Sequence, residues 1–172
     1  MTEGRHKLRI AGILNDSIVD GPGLRFVVFA QGCTFNCPGC HNLETHPLDG
    51  GRGVYLDDIL RDINKNPLLD GLTISGGEPF IQAEVFAILA EKVKAQGLNV
   101  WVYSGYTLEE LLSGMDKNPA WKSLLDKADV LVDGRFILAE RTLDEAFKGS
   151  RNQRILDVKK SICQGTPILL EL

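Results

Sequence analysis

Short apolar runs alternate along the chain with segments whose apolar residues follow a helical period. Four runs predict buried strands at residues 24–30, 71–75, 98–103 and 129–133. After the first run, Leu56, Ile59, Leu60 and Ile63 fall at positions i, i+3, i+4 and i+7, which is one face of a helix. Further helical stripes are predicted from Ile81, Val85, Ile88 and Leu89, from Leu108, Leu111, Leu112 and Met115, and from Trp121, Leu124 and Leu125.

Capping residues mark the ends of these predicted helices. Thr107 and Glu110 have the spacing of a capping box, in which each side chain satisfies a backbone N–H of the first turn. Pro119 suits the first turn of the next helix, where its missing N–H costs nothing. Gly97 is expected to cap the helix that precedes the third strand.

The alternation of strands and helices predicts an α/β fold of mostly parallel strands with right-handed crossovers. Residues 154–158 and 167–170 predict two late strands, forming a hairpin around Gln164 and Gly165. A complete eightfold barrel typically needs about 250 residues, more than the 172 of this chain. We therefore expect a single domain over residues 1–172, an open partial barrel with its helices outside and its chemistry at the C-terminal ends of the strands.

Composition and charge exclude several classes of function. Hydrophobic residues make up 44% of the chain and charged residues 24%, as in ordinary globular proteins. The formal net charge of −4 does not favour binding to nucleic acid or membranes. The polar N-terminal sequence lacks the apolar core of a signal peptide. We expect a soluble, cytoplasmic protein.

Three of the four cysteines lie close together, in the segment Cys33-Thr-Phe-Asn-Cys37-Pro-Gly-Cys40. Such a cluster in a cytosolic protein favours metal or redox chemistry over disulfides. Structural zinc normally has four ligands, whereas three thiolates on a four-iron cluster leave one iron open. A zinc site completed by His41 or by a distant residue, and three unconnected core thiols, remain alternatives. Cys163, far along the chain, is expected to be a buried or idle thiol.

Candidate binding residues follow the predicted strands. Gly76-Gly77-Glu78-Pro79 lies at a strand-to-helix turn, where two glycines permit positive φ and a close approach of the backbone to a ligand. A tight turn alone would also explain these glycines. Glu78 is either a charged acceptor or a solvated carboxylate. Ser104 ends the third strand and Asp133 the fourth, with Arg135 nearby, although Ser-Gly and Asp-Gly are also common turn formers.

The cysteine segment followed by Gly-Gly-Glu-Pro resembles the radical S-adenosylmethionine (SAM) superfamily. Additional motifs resemble its glycyl-radical-enzyme activase branch: residues 20–25 (DGPGLR), 31–33 (QGC), 40–42 (CHN) and 73–80 (TISGGEPF). Three more are similar to the activating proteins of anaerobic (class III) ribonucleoside-triphosphate reductase: residues 101–106 (WVYSGY), 129–136 (DVLVDGRF) and 148–154 (KGSRNQR). The resemblance extends over most of the chain, with the motifs in order.

The resemblance implies a cofactor arrangement. Cys33, Cys37 and Cys40 would hold a [4Fe-4S] cluster, and SAM would bind its open iron through the amino and carboxylate groups. The backbone of Gly76–Gly77, together with Glu78, would receive the ammonium end of SAM.

The remaining SAM contacts are also implied by resemblance. Many superfamily members place an aromatic residue just before the third cysteine, where it packs on the adenine, and this chain has Gly39 there. The adenine contact then falls to the backbone around Gly39 and Cys40–His41. Ser104, Asp133 and Arg135 would reach the ribose or the carboxylate of SAM, or a bound cation.

The activity implied by the resemblance is that of an activase. Reductive cleavage of SAM would give a 5′-deoxyadenosyl radical, which takes a hydrogen atom from a glycine Cα of anaerobic ribonucleoside-triphosphate reductase. The electron would come from a small donor protein such as a flavodoxin or a ferredoxin. The alternatives are an activase of a different glycyl-radical enzyme and a non-catalytic scaffold that binds zinc or a cluster.

The length of the chain leads to an expectation about the partner. The strand–helix units and the cysteine segment use nearly all 172 residues, so we expect no lid of the chain's own. A radical site must be closed during turnover, and the glycine loop of the reductase is expected to supply the missing wall. Arg135 and the basic stretch from Lys148 to Lys160 are the candidate contacts at its rim.

Overall fold

A computed structural model describes residues 5–172 and forms one seven-stranded sheet. The strands are β1 (Lys7–Ser17), β2 (Arg25–Ala30), β3 (Arg52–Tyr55), β4 (Gly71–Gly76), β5 (Asn99–Tyr103), β6 (Val130–Asp133) and β7 (Arg154–Asp157). The α-helices are α1 (Leu56–Asn64), α2 (Ala83–Lys94), α3 (Leu108–Gly114), α4 (Pro119–Lys127) and α5 (Val158–Gln164). Short 3-10 turns lie at Leu43–Thr45, Pro79–Gln82 and Leu138–Glu140.

The four central strands of the sheet are parallel. β2, β4, β5 and β6 lie side by side in that order, and each neighbouring pair runs in the same direction. β1 and β3 extend the sheet antiparallel beyond β2, and β7 extends it antiparallel beyond β6. β3 and β7 are the two edges of the sheet, which therefore does not close. The expected α/β fold, an open partial barrel built on parallel strands, is confirmed.

Alternate residues of a parallel strand face two different environments. On β5, Val100 and Val102 belong to the large apolar core that the sheet forms with the helices. Trp101, between them, belongs to a small cluster with Val130 and Val132 of β6. The helices thus cover one face of the sheet, and the opposite face is left for the functional site.

The positions predicted for the central strands and for α1, α3 and α4 are confirmed. Thr107 and Glu110 form both reciprocal hydrogen bonds of the predicted capping box, and Pro119 opens α4. Gly97 has a φ of +84° in the turn that follows α2. Within residues 5–172, no helix combines the length and the apolar character that crossing a membrane requires.

α2 begins later than predicted and buries a different stripe. Pro79–Gln82 forms a 3-10 turn, which leaves Ile81 45% exposed. Val85 and Ile88 are only half-buried. The predicted stripe missed the true face because half of that face consists of alanine. The buried residues are Ala83, Phe86, Ala87, Leu89, Ala90 and Val93.

β1 and β3 are strands that the apolar pattern did not predict. The register of β1 against β2 shifts between Ile10 and Gly12, and again between Leu14 and Ser17. Such irregularities interrupt the alternation of buried and exposed positions on which the prediction of a strand depends. β3 is short and largely exposed, so it carries little apolar signal.

The first of the two predicted late strands is confirmed as β7, and residues 168–170 pair antiparallel with it, but the predicted turn around Gln164 and Gly165 is wrong because α5 occupies its position. The Asp157 side chain accepts a hydrogen bond from the N–H of Lys160 and so caps the start of α5. Gly165 ends the helix in the left-handed conformation, with a φ of +67°. The residues beyond the helix form only an isolated bridge, between Leu156 and Leu169.

Residues 134–153, called the β6–β7 segment below, connect β6 to the antiparallel β7 without an α-helix. The segment folds back on itself through a bridge between Arg141 and Ser150 and a hydrogen bond from Thr142 N–H to the carbonyl of Gly149. The sequence did not reveal that these residues form a wall of the cavity described next. The expectation that the chain has no lid of its own stays a prediction.

Candidate metal and cofactor site

A cavity of about 380 Å³ lies at the C-terminal ends of the parallel strands, a size typical of small-molecule sites. One wall is the cysteine loop, defined here as residues 31–42, and the opposite wall is the β6–β7 segment. The cysteine loop contributes Cys33, Phe35, Cys37, Cys40, His41 and Asn42. The strand ends contribute Phe29, Ser75, Gly76, Gly77, Tyr103, Ser104 and Gly105. The β6–β7 segment contributes Gly134, Phe136, Phe147, Lys148, Gly149 and Gln153.

The start of the cysteine loop is fixed to the chain that follows it. Gly32 N–H donates to the carbonyl of Thr45 over 2.7 Å, and Cys33 N–H donates to the carbonyl of His46 over 3.0 Å. The buried amide of Gln31 donates to the carbonyl of Pro47 over 2.7 Å. These bonds set the direction in which the loop leaves β2.

Two residues with positive φ shape the rest of the loop. Asn36 has a φ of +50° and Gly39 a φ of +74°. A Cβ at Gly39 would lie 2.7 Å from the side chain of Leu138. Glycine at this position therefore lets the cysteine loop lie directly against the β6–β7 segment.

The three clustered cysteines are half-buried and line the same cavity. Burial raises the pKa of the Cys33 thiol, and the negative charges of Glu78, Cys37 and Cys40 act in the same direction. A centre of positively charged iron would stabilise these thiolates, so the residues present fit such a group. Cys163 lies on α5, is exposed and does not line the cavity.

Cys33, Cys37 and Cys40 are not grouped as the ligands of one ion. Over residues 5–172, no three side chains of the His, Cys, Asp and Glu types are grouped closely enough to hold a single metal ion. In a four-iron cluster each thiolate binds a different iron, so its ligands do not need to meet at one point.

Gly76 and Gly77 bring the end of β4 against the start of the cysteine loop. Gly76 has a φ of +97°, and a Cβ there would lie 2.5 Å from the backbone nitrogen of Ala30. A Cβ at Gly77 would lie 2.4 Å from the carbonyl oxygen of Gly32. Gly77 N–H donates to Ala30, and Glu78 N–H donates to Gly32. The glycines are thus required by contact between two backbones, and both also line the cavity.

Glu78 is buried, so its prediction as a solvated carboxylate is wrong, and its contact with SAM stays a prediction. Its side chain does not line the cavity. Its carboxylate accepts hydrogen bonds from Phe80 N–H, Gly105 N–H and the Ser104 hydroxyl, over 2.9–3.0 Å. Burial raises the pKa of Glu78 to about 7, against the lowering effect of these bonds. Glu78 joins the end of β4 to the end of β5, and Ser104, which does line the cavity, is one of its partners.

Asp133 is also committed to structure rather than to the cavity. Its buried carboxylate accepts from the N–H of Leu108 over 2.7 Å, at the start of α3. The same carboxylate accepts from Arg154 Nε over 2.9 Å. The contact of Asp133 with the cofactor stays a prediction. A strand-ending Asp-Gly pair does not reveal that a helix N-terminus lies against the carboxylate.

Arg135 likewise lies outside the lining of the cavity. Its guanidinium donates to both carboxylate oxygens of Glu110 at 3.0 Å and lies over the ring of Phe35, 4.5 Å from the ring centroid. The contact of Arg135 with SAM or with a cation stays a prediction. The contact with Phe35 nevertheless connects Arg135 to the cysteine loop.

The positions predicted for the adenine contact lie where the two walls meet. Cys40 and His41 line the cavity, and the His41 ring packs edge-on against Phe136, with ring centroids 5.3 Å apart. Gly39 lies behind them against Leu138. The adenine contact itself stays a prediction.

Sequence reasoning missed most of the lining that the β6–β7 segment contributes. The Gln153 side chain accepts from the N–H groups of Gly149 and Ser150 and donates to the carbonyl of Gly134. Phe147 packs edge-on against Trp101, with ring centroids 5.6 Å apart. The available signal was the segment KGSRNQR at residues 148–154, which the sequence analysis used only as a resemblance and as part of a basic stretch.

The basic stretch is not a continuous charged surface. Lys148 lines the cavity and forms an ion pair with Glu145. Arg154 pairs with Asp133 and Glu109, and Lys160 pairs with Asp157. Three of the five positive charges of the stretch are thus engaged in separate local ion pairs.

A comparison with protein families finds a match over residues 19–156 to the family described as "4Fe-4S single cluster domain". The anaerobic ribonucleoside-triphosphate reductase-activating protein of Escherichia coli (strain K12) is 35% identical over 144 residues, which cover 79% of this chain and 90% of that protein. The protein of the same name from Vibrio cholerae is 35% identical over 146 residues, which cover 80% of this chain and 90% of that protein.

Two further similarities cover a smaller share of this chain. The pyruvate formate-lyase-activating enzyme of Clostridium pasteurianum is 36% identical over 117 residues, which cover 63% of this chain and 49% of that enzyme. Among solved structures, QueE from Escherichia coli aligns with a TM-score of 0.48 and 17% identity, over 59% of this chain and 53% of that chain.

Proposed function

This chain belongs to the family of anaerobic ribonucleoside-triphosphate reductase-activating proteins, and we propose that it activates such a reductase by radical SAM chemistry. One observation carries the proposal. The three clustered cysteines and the turn of Gly76–Gly77 line a single cavity at the C-terminal ends of parallel strands. In α/β folds this is the edge at which ligands bind.

We propose that Cys33, Cys37 and Cys40 hold a [4Fe-4S] cluster and that SAM binds beside it in the cavity. The match to a 4Fe-4S single cluster domain supports the cluster, and the size of the cavity supports a small-molecule cofactor. Together these groups would supply reductive cleavage of a carbon–sulfur bond of SAM, and with it an organic radical able to take a hydrogen atom from a glycine Cα of the reductase.

The residues of the chain orient the cofactors and keep water away. Hydrogen bonds of Gln31, Gly32 and Cys33 fix the direction of the cysteine loop. Phe35, Phe136 and Phe147 give the cavity apolar walls, which limit side reactions of a radical. Hydrogen-atom transfer needs no general base, so no side chain is assigned a proton transfer.

The proposed substrate is a glycine within another protein, so the cavity must admit a segment of chain. Val19 lines the cavity and is 71% exposed, which leaves an apolar edge where such a segment can pack. We propose that the glycine loop of the reductase enters there and completes the enclosure that the β6–β7 segment begins. A small protein such as a flavodoxin or a ferredoxin is the proposed electron donor.

The proposal can be tested by anaerobic reconstitution with iron and sulfide, followed by addition of SAM and a reductant. The expected results are about four iron and four sulfide per chain, and 5′-deoxyadenosine that forms faster when the reductase is present. A reductase truncated before its glycine loop is the matched control and should not accelerate cleavage. A colourless, air-stable protein that holds one zinc per chain and forms no 5′-deoxyadenosine would overturn the proposal.

A further inference from the structure

Phe35 is an aromatic residue within the cysteine loop, between Cys33 and Cys37. The chemistry of a three-cysteine cluster assigns it no role, and yet its ring lines the cavity and has neighbours on several sides. It lies two residues after Cys33 and two residues before Cys37. The position of its ring therefore affects how the loop presents both cysteines.

The end of β5 is shaped to receive the ring of Phe35. A Cβ at Gly105 would lie 2.5 Å from two carbons of that ring, so no larger residue fits at Gly105 without moving it. The ring of Tyr106 packs edge-on against Phe35, with centroids 4.7 Å apart. Tyr106 in turn packs against Trp121 of α4, with centroids 4.7 Å apart. The ring is thus held against the rigid part of the fold.

Arg135 provides a further contact of the Phe35 ring. Its guanidinium lies over the ring of Phe35, 4.5 Å from the centroid, within the range of a cation–π interaction. Both carboxylate oxygens of Glu110 accept from its Nη1 at 3.0 Å. Glu110 is itself fixed, because its carboxylate accepts from Thr107 N–H in the capping box of α3. A chain of contacts therefore runs from the start of α3 to the cysteine loop.

We infer that Arg135 is a positioning residue that holds the cysteine loop ready for its cluster by clamping Phe35 against Gly105 and Tyr106. The inference rests on the proposed function for the identity of the three cysteines as ligands. The clamp acts through the ring and not through charge alone. A planar guanidinium can stack on an aromatic face while it pairs with Glu110, whereas an ammonium group is a point charge that stacks poorly.

The first test uses the cluster-free protein and measures how fast iodoacetamide alkylates each cysteine. Exposed Cys163 is an internal reference within the same chain. Arg135→Lys and Arg135→Gln should both accelerate alkylation of Cys33, Cys37 and Cys40 by about threefold to tenfold, with no change at Cys163. Arg61→Gln removes a guanidinium from the exposed ion pair with Asp58 on α1 and is the matched control, expected to behave as the wild type.

The second test uses the reconstituted protein and a double-mutant cycle. Loss of iron to a chelator under anaerobic conditions should be faster by a similar factor in Arg135→Lys. Phe35→Leu should give the same acceleration. Adding Arg135→Gln to Phe35→Leu should then change little, because the ring through which Arg135 acts is already gone. The thermal midpoint of the cluster-free variants should stay close to that of the wild type, since the Arg135–Glu110 pair is half-exposed.

Three outcomes would contradict the inference that Arg135 holds the Phe35 ring. They are wild-type behaviour of Arg135→Lys, equal acceleration of alkylation at Cys163, and persistence of the full effect of Arg135→Gln without the Phe35 ring. Failure of the proposed function has a different signature. A chain that assembles no four-iron cluster but still shows the Arg135-dependent protection of its three cysteines would contradict the proposed function and leave the clamp intact.

Discussion

The two walls of the cavity are held in place by different kinds of contact. Where β4 meets the start of the cysteine loop, backbone lies directly against backbone, and Gly77 N–H and Glu78 N–H donate to the end of β2 and to Gly32. The β6–β7 segment is fixed by polar side chains that satisfy its backbone, chiefly Gln153 and Asn152. The first contact therefore depends on the absence of side chains at Gly76 and Gly77, and the second depends on the presence of amide side chains.

This difference predicts different consequences of mutation. A Cβ at Gly76 or Gly77 would lie only 2.4–2.5 Å from backbone atoms, which cannot move independently of their strand or loop. A larger residue at either position therefore displaces the wall that carries the cysteines. A lost side-chain amide leaves backbone groups without a partner, which loosens its segment locally. We expect changes at the Gly76–Gly77 turn to remove the cluster and changes to the amide side chains of the β6–β7 segment to weaken cofactor binding.

The largest effect is expected from the cysteines. Alanine at Cys33, Cys37 or Cys40 should abolish both cluster binding and SAM cleavage, because two thiolates cannot hold a cluster with one defined open iron. Cys163→Ala is the control and should retain both. Iron content and 5′-deoxyadenosine formation are the measurements, and loss of iron in Cys163→Ala with retention in Cys33→Ala would contradict the ligand set.

Gly77→Ala should also remove the cluster, although it changes none of the three cysteines proposed as ligands. Its Cβ would meet the carbonyl oxygen of Gly32 at 2.4 Å, so β4 and the cysteine loop must separate. We expect the free energy of unfolding to fall by at least about 3 kcal/mol. Gly12→Ala is the matched control, since nothing lies within 4 Å of a Cβ there. A stable Gly77→Ala protein with a full complement of iron would show that the backbone contact is dispensable.

Glu78, which joins the strand ends between the two walls, should give the stability a dependence on pH. Its pKa is about 7 in the folded protein and ordinarily 4.5, so between these values the folded state binds more protons than the unfolded state. The free energy of unfolding of the cluster-free protein should therefore fall by about 3 kcal/mol as pH rises through this range.

Glu78→Gln should remove this component of the pH dependence, and Glu84→Gln, at an exposed position of α2, should leave it unchanged. Chemical denaturation at several pH values measures the difference between the wild type and each variant. An identical pH slope in the wild type and Glu78→Gln would contradict the role assigned to burial.

The smallest effect is expected in the β6–β7 segment. Gln153→Ala removes the hydrogen bonds to Gly149, Ser150 and Gly134, each worth about 1 kcal/mol. The KM for SAM should rise several-fold while iron content stays at the wild-type level. Gln164→Ala, at an exposed position, is the control. Loss of iron in Gln153→Ala would show that the hydrogen bonds of Gln153 also hold the cysteine loop in place.

The same difference explains what could be predicted from the sequence. The cysteines and the Gly76–Gly77 turn were recognisable because ligand chemistry and backbone contact each restrict a position to very few residue types. The central strands were recognisable because burial on both faces gives continuous apolar runs. The structural role of residues 148–154 could not be recognised from residue type alone, since amide side chains that bond to a nearby backbone occur in many loops.

What the sequence did not reveal depends on tertiary contacts. The resemblance assigned Asp133 and Arg135 to the cofactor but did not show that the start of α3 lies against both of them. The turn predicted around Gln164 and Gly165 is wrong because Asp157 and Gly165 are helix caps, a pattern that residues of turns also satisfy. β1 was missed because its register shifts hide the alternation.

The most direct test of the central claim is electron paramagnetic resonance of the reaction with anaerobic ribonucleoside-triphosphate reductase, SAM and a reductant. The account predicts a glycyl-radical doublet in the reductase, which disappears when the glycine is replaced by alanine or when Cys37→Ala replaces the wild-type activase. Pyruvate formate-lyase, whose activating enzyme from Clostridium pasteurianum is similar to this chain, should give little or no signal under the same conditions. A strong doublet in pyruvate formate-lyase and none in the reductase would contradict the proposed partner, and no radical in either would contradict the activase.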